Sequence, residues 1–402
     1  MDSVKKNYIV FFYFYFVLQT LHIIIHTYLP IYFFIVLNVD RRELAIVQIL
    51  SYITLFSKVL FSIYFDKKKS SSKRKIIIWI SSLGMIGSYI LFIFNLELLL
   101  IFGIFIGIYF IFLSLLDVSI DKTILENSPT EKIKTNNTIW VRLGFMVGSF
   151  FPIFIFLIIF TYNINMNPWM LFFLFGFFAI IPLLFITLLI DVNEGRAEEP
   201  DESKRTNKIG KINYKNIILM SLFMFLTYGD RLYEYPFEPW ALIKYFNGNF
   251  TYFNIFVLVI VLMVTLGIII GGTVFQGYDN KKILFLGTII IGILHLIIPF
   301  TNLIFFILLV SILMFTNGIL FVHSMIMIIN LSKERVVYFQ LIFAFVILAT
   351  VIFIPLGTYL SAIIDTELII VIAGILILIS LIPLILIKKE GNISTTILSN
   401  LG

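Results

Sequence analysis

Runs of about twenty apolar residues recur from one end of this chain to the other, separated by short polar turns. Each run is long enough to cross a hydrocarbon core of roughly 30 Å as a helix. In lipid every backbone N–H and C=O must find its partner within the protein, which leaves helices or closed barrels. A barrel would show weaker alternating segments of about 10 residues, and the sequence lacks that pattern. Of the 402 residues, 60% are hydrophobic and 13% charged, too few polar groups to cover a water-soluble protein of this size. The expected fold class is an all-α polytopic membrane protein. Its first run follows Lys5 and Lys6 and continues to about Leu37 with no small-residue cleavage site. It therefore reads as a first span rather than a signal peptide. Cysteine is absent, which excludes disulfides and thiolate metal sites.

The longest break in the apolar pattern is residues 191–215, DVNEGRAEEPDESKRTNKIGKINYK. Such a segment cannot bury enough apolar surface to offset its ordering entropy, so it is expected to be a solvated linker. It divides the chain into a six-helix bundle over 1–190, a cytoplasmic linker over 191–215 and a second six-helix bundle over 216–402. The first six spans are expected at 8–37, 43–65, 75–95, 97–121, 136–162 and 168–190. The second six are expected at 216–237, 250–276, 281–300, 303–330, 335–363 and 367–387. Lysine and arginine crowd alternate connections: Lys67 to Lys75, Lys122 to Lys134, the linker, Lys281 and Lys282, Lys333 and Arg335, Lys388 and Lys389. The opposite connections hold little beyond Arg41, Arg42 and Lys244. This asymmetry predicts cytoplasmic termini in a multi-pass protein of the cell membrane. At the fifth helix, Ser128-Pro129-Thr130-Glu131 reads as a helix start with a capping serine and a first-turn proline.

The two halves echo each other. Tyr64-Phe65-Asp66-Lys67-Lys68 follows the second span, and Gly277-Tyr278-Asp279-Asn280-Lys281-Lys282 follows the eighth. With the six-plus-six layout, these copies point to a duplicated bundle. On these features the chain resembles the major facilitator superfamily over nearly its whole length. That family carries a glycine, an aspartate and a basic-Gly-basic run after spans two and eight. The second copy is the better match, with Gly267, Gly271, Gly272 and Gly277 before Asp279. In the first, Phe61 or Ser62 stands where glycine is expected, and serines stretch the basic run. Leu116-Asp117-Val118-Ser119-Ile120-Asp121 also looks like the fourth-to-fifth helix region of several branches. Gly144, Gly148 and Pro152 only loosely echo the family's antiporter signature. The resemblance implies twelve transmembrane helices in two pseudo-symmetric bundles, with a solute cavity between them.

Ionisable groups inside spans cost a few kcal/mol or more unless paired or hydrated, so they mark candidate sites. The bland alternative is a side chain near a helix end that snorkels to water. The seventh span is densest, with Asp230, Arg231, Glu234 and Glu238 before and around Pro236. Asp230, Glu234 and Glu238 fall on one helix face until Pro236 bends it, an acidic ladder suited to a cation or proton path. The first span carries Gln19, His22 and His26 on one stripe. Histidine titrates near neutral pH, so these can join proton coupling or bind an anion; packing is the alternative. Their spacing also suits zinc, but no third ligand follows locally and no metal is expected. The second span carries Gln48 and Lys58 on one face, Lys58 as partner for an anionic solute or for a carboxylate. His323 lies on a polar stripe of the tenth span, and Asp66, Asp117, Asp121, Arg142 and Asp279 are candidates for an inner gate.

The function expected is a secondary active transporter that moves a small solute by alternating access, coupled to a proton or cation, as a symporter or antiporter. An efflux pump for cationic or amphipathic compounds is the alternative within transport. A membrane enzyme would need a nucleophile motif, a metal cluster or a large catalytic loop, and none is present in the sequence. The expected partners are a small-molecule substrate, the coupling ion and the bilayer. No nucleic acid and no cofactor are expected, and the protein is expected to be a monomer.

Overall fold

The computed structural model describes residues 3–67, 74–126, 131–161, 167–189, 213–275, 277–332 and 336–388. The charged stretch up to residue 212, the Ser128-Pro129-Thr130 helix start and the side chain of Asp66 lie outside what is described. Among the described residues all regular structure is helical. Eleven helices are continuous, long and apolar enough to cross a membrane. The first six are Asn7–Val36, Arg41–Phe65, Arg74–Ile93, Leu99–Ile124, Ile139–Thr161 and Pro168–Thr187. Spans eight to twelve are Phe250–Thr273, Asn280–Phe300, Leu303–Ser332, Tyr338–Leu360 and Thr366–Leu386.

The seventh passage is different. It consists of Tyr214–Thr227 and Glu234–Phe246, joined by a 3₁₀ turn over Tyr228–Leu232. The bend expected at Pro236 therefore falls earlier in the chain. Pro236 is the third residue of the following helix, a position whose N–H has no intrahelical partner to lose. The passage also runs on to Phe246, well past the expected end at 237.

Turn chemistry sets the helix starts. Asp40, Asn167, Asn249 and Asp279 each accept a backbone N–H of the following first turn, satisfying donors that a helix N-terminus leaves open. Asn247 ends the seventh helix with φ 49°, the left-handed residue that closes a helix C-terminus.

The packing repeats with an offset of six helices. The first helix packs on the fifth and sixth, the second on the fourth, and the third on the fourth and sixth. The seventh packs on the eleventh and twelfth, the eighth on the tenth, and the ninth on the tenth and twelfth. Glycine makes two of these approaches possible. A Cβ on Gly148 would stand 2.3 Å from the carbonyl oxygen of Phe16, and one on Gly357 would stand 1.4 Å from that of Leu232. Helix backbones close in this way where small residues line the contact. Large apolar side chains such as Leu60, Phe300 and Ile304 point outward, as expected of lipid-facing positions.

The two halves meet where the second helix packs against the eleventh, the fifth against the eighth, and the first against the seventh. Arg41 donates to the Ser361 carbonyl at 2.6 Å, and the Tyr28 hydroxyl donates to Asn254 Oδ1 at 2.6 Å. Phe156 and Phe160 pack on Phe250. These contacts close the interface toward the end that carries Arg41, Asn247 and Ser361.

Candidate functional site

The first and seventh helices both lose α-helical regularity near mid-span. The first is regular from Ser3 to Ile23, then continues as π-helical turns over Ile24–Tyr28 and Tyr32–Val36 on either side of Leu29–Ile31. Pro30 lies between them and has no N–H to give, which favours local rearrangement of the ladder. The seventh helix has its 3₁₀ turn. Irregular backbone at membrane depth persists only where it is buried in protein or lines a watery cavity.

At this level the polar residues of the two halves come together. His22 and His26 lie ring against ring, with centroids 4.3 Å apart. His26 Nδ1 is 2.5 Å from Glu234 Oε1. The other carboxylate oxygen of Glu234 pairs with Arg231, whose guanidinium also lies 5.5 Å from the centre of the Tyr228 ring. Glu234 thus takes a partner from each half. The side chains keep 14% (His26), 13% (Glu234) and 25% (Arg231) of their exposure, so the bridge is neither sealed in the core nor free in water. Asp230 and Glu238 flank it, each with one buried carboxylate oxygen lacking a hydrogen bond. One arginine is set against three carboxyl groups, with His22 and His26 beside them. Among the described residues, no group of three or more metal-type side chains gathers closely enough to hold an ion.

Gln48 and Tyr52 of the second helix lie beside Tyr235 of the seventh, and the Tyr52 ring centre is 6.1 Å from that of His26. Gln19 is buried on the first helix, one turn before His22.

A second polar cluster lies wholly within the first half. Lys58 Nζ is 2.5 Å from Asp117 Oδ2. Asp121, one turn along from Asp117, accepts the Tyr15 hydroxyl at 2.7 Å, and the Lys122 ammonium donates to the Phe65 carbonyl. Of the residues expected to form an inner gate, Asp117 has Lys58 as its partner and Arg142 is exposed on the fifth helix. Asp279 caps the ninth helix through the N–H of Lys281. His323 is hydrogen-bonded to Asn280 at 2.7 Å, apart from the bridge.

Sequence reasoning passed over Tyr28, Tyr52, Tyr235, Asn254 and the Arg41 clasp. Asn254 had a signal, a lone amide in an otherwise apolar helix. The tyrosines had none, because aromatic residues are abundant throughout this chain.

Two six-helix halves with matching internal packing, and a polar bridge between them within the first and seventh passages, define the class: a twelve-passage membrane protein built as a pseudo-symmetric pair of bundles. The crystal structure of the nucleoside transporter NupG has this fold, with a TM-score of 0.67 at 16% identity over 97% of this chain and 100% of that chain. A mutant of the same transporter matches at 0.65, also with 16% identity, over 96% of this chain and 100% of its own. NupG is a member of the major facilitator superfamily, so the fold that the sequence resemblance implied is the fold observed. No protein family and no curated protein matches the chain by sequence.

Proposed function

We propose that this protein is a secondary active transporter that carries a small polar solute by alternating access, coupled to protons. Its solute is held between the halves at the level of His26 and Glu234. The observation that carries the reading is the bridge itself: a histidine from one half and a carboxylate from the other, in contact, partly accessible, at the one depth where both helices are irregular. A contact made between halves must break when they rock apart, and its energy depends on protonation. That makes it a coupling element in the sense that each conformation binds the proton differently. The fold is shared with a nucleoside transporter, so nucleosides are the solute class to test first. The loop charges support cytoplasmic termini.

The experiment is uptake of labelled uridine and adenosine by proteoliposomes holding the purified protein, with and without an imposed pH gradient. Accumulation above equilibrium that collapses when a protonophore is added is the expected result. Accumulation indifferent to the pH gradient and to the protonophore would remove proton coupling. Absence of both uptake and counterflow would remove nucleosides as the solute class.

A further inference from the structure

Gln48 is only 3% exposed, yet neither its amide oxygen nor its amide nitrogen has a hydrogen bond of good geometry. The Tyr52 hydroxyl, one turn further along the second helix, is in the same state. Tyr235 reaches toward both from the other half, and the His26 ring centre is 6.1 Å from that of Tyr52. A carboxamide offers two donors and two lone pairs, whereas a phenolic hydroxyl has a single donor. However it turns, the Tyr235 hydroxyl can satisfy only part of what Gln48 and Tyr52 present. Buried polar atoms left unpaired are costly, so such a seam has a strong demand for another group.

We propose that this seam is the subsite that recognises the solute, and that it takes a planar group with an N–H donor beside a C=O acceptor: the edge of an imide, a lactam or a heterocyclic base. The proposal rests on the transport function above and narrows its solute. The Gln48 amide is the complement of such an edge. Its oxygen accepts from the ligand N–H while its NH₂ donates to the ligand C=O, giving two parallel hydrogen bonds. A carboxylate cannot donate to the Gln48 oxygen, and a lone hydroxyl can bridge the two amide atoms only through bent bonds, not the two parallel ones of a lactam edge. Tyr52, Tyr235 and His26 add flat rings against which a planar ligand packs. The seam adjoins Glu234, whose charge acts on Tyr52, so an occupant lies next to the bridge that couples the halves.

The test is calorimetric titration of the purified wild-type protein with uridine, N3-methyluridine and succinimide, repeated on Gln48→Leu. N3 methylation removes the N–H and obstructs both edges beside it. Expected is a weakening of about tenfold or more for N3-methyluridine relative to uridine, the loss of a well-placed buried hydrogen bond pair. In Gln48→Leu the two should bind alike, at the weaker level. Equal affinity of uridine and N3-methyluridine for the wild type overturns the subsite and leaves nucleoside transport standing. Succinimide binding that Gln48→Leu abolishes, with no uridine binding, supports the subsite and removes nucleosides as the solute. Binding of none of the three overturns both. The methylation comparison uses the unaltered protein, so it holds even if Gln48→Leu fails to fold.

Discussion

Lys58–Asp117 and His26–Glu234 are polar contacts of the same length, both 2.5 Å, one within a half and the other between the halves. Lys58 and Asp117 lie on the second and fourth helices, which belong to one half and move together. His26 and Glu234 lie on the first and seventh, which belong to different halves. In the proposed transport cycle, a rocking motion would leave the first pair intact and pull the second apart. The first pair therefore acts as internal structure. In that cycle the second would be part of the energy difference between conformations, because whatever stabilises it favours the closed interface. Equal geometry carries unequal function when the boundary between rigid bodies falls on one contact and not on the other.

Glu234→Gln should break the comparison hardest. It removes the charge that Arg231 meets and keeps the side-chain shape, so gradient-driven accumulation should fall to about the equilibrium level. Counterflow exchange of the same solute should survive, since exchange needs no net proton movement. Accumulation that matches wild type across pH would place the bridge outside the coupling mechanism.

Lys58→Met addresses the pair within the first half. Asp117 then stands beside Asp121 without its cation. Because Lys58 keeps 28% of its exposure, the loss of stability is discounted to about 1–3 kcal/mol. The thermal midpoint should fall by several degrees, and Lys58→Met combined with Asp117→Leu should recover most of it. The ratio of accumulation to exchange should stay at the wild-type value. A variant that kept its midpoint but lost coupling would show that the two pairs are not mechanically different.

Arg41→Ala tests the clasp on the Ser361 carbonyl. A charged donor is worth about 1.5–3 kcal/mol net, so the interface at that end should open roughly 10- to 100-fold more often. The protein has no cysteine, so Ala45→Cys, buried at 3% exposure, provides a clean reporter. Its labelling by an impermeant maleimide should speed up in the Arg41→Ala background. An unchanged rate would mean that the clasp does not hold the halves together.

Tyr28→Phe removes a neutral hydrogen bond to Asn254 across the same interface. Such bonds contribute about 0.5–1.5 kcal/mol, so the same labelling should accelerate only a few-fold, less than for Arg41→Ala. A larger effect than that of Arg41→Ala would reverse the ranking and make the aromatic layer around Phe156 and Phe250 the principal seal.

The spans were legible from length and hydropathy alone, because lipid admits so few ways of pairing a backbone. The candidate residues of the bridge were legible too. His22, His26, Asp230, Arg231 and Glu234 stood out because charge inside an apolar helix is costly, and they do converge. Their partners were not legible. Helical periodicity says which residues share a face, but it is blind to which helix that face meets, so Lys58 could be read equally as an anion site or as a carboxylate partner. The choice of Asp117 came from the packing of the second helix on the fourth. The position of the break in the seventh helix was likewise decided by tertiary structure. Proline drew attention to residue 236, but the turn over Tyr228–Leu232 is shaped where the eleventh helix brings Gly357 against the Leu232 carbonyl. The membrane makes each helix nearly compulsory from its own sequence, whereas the rotation and partner of each helix depend on side chains far away in the chain.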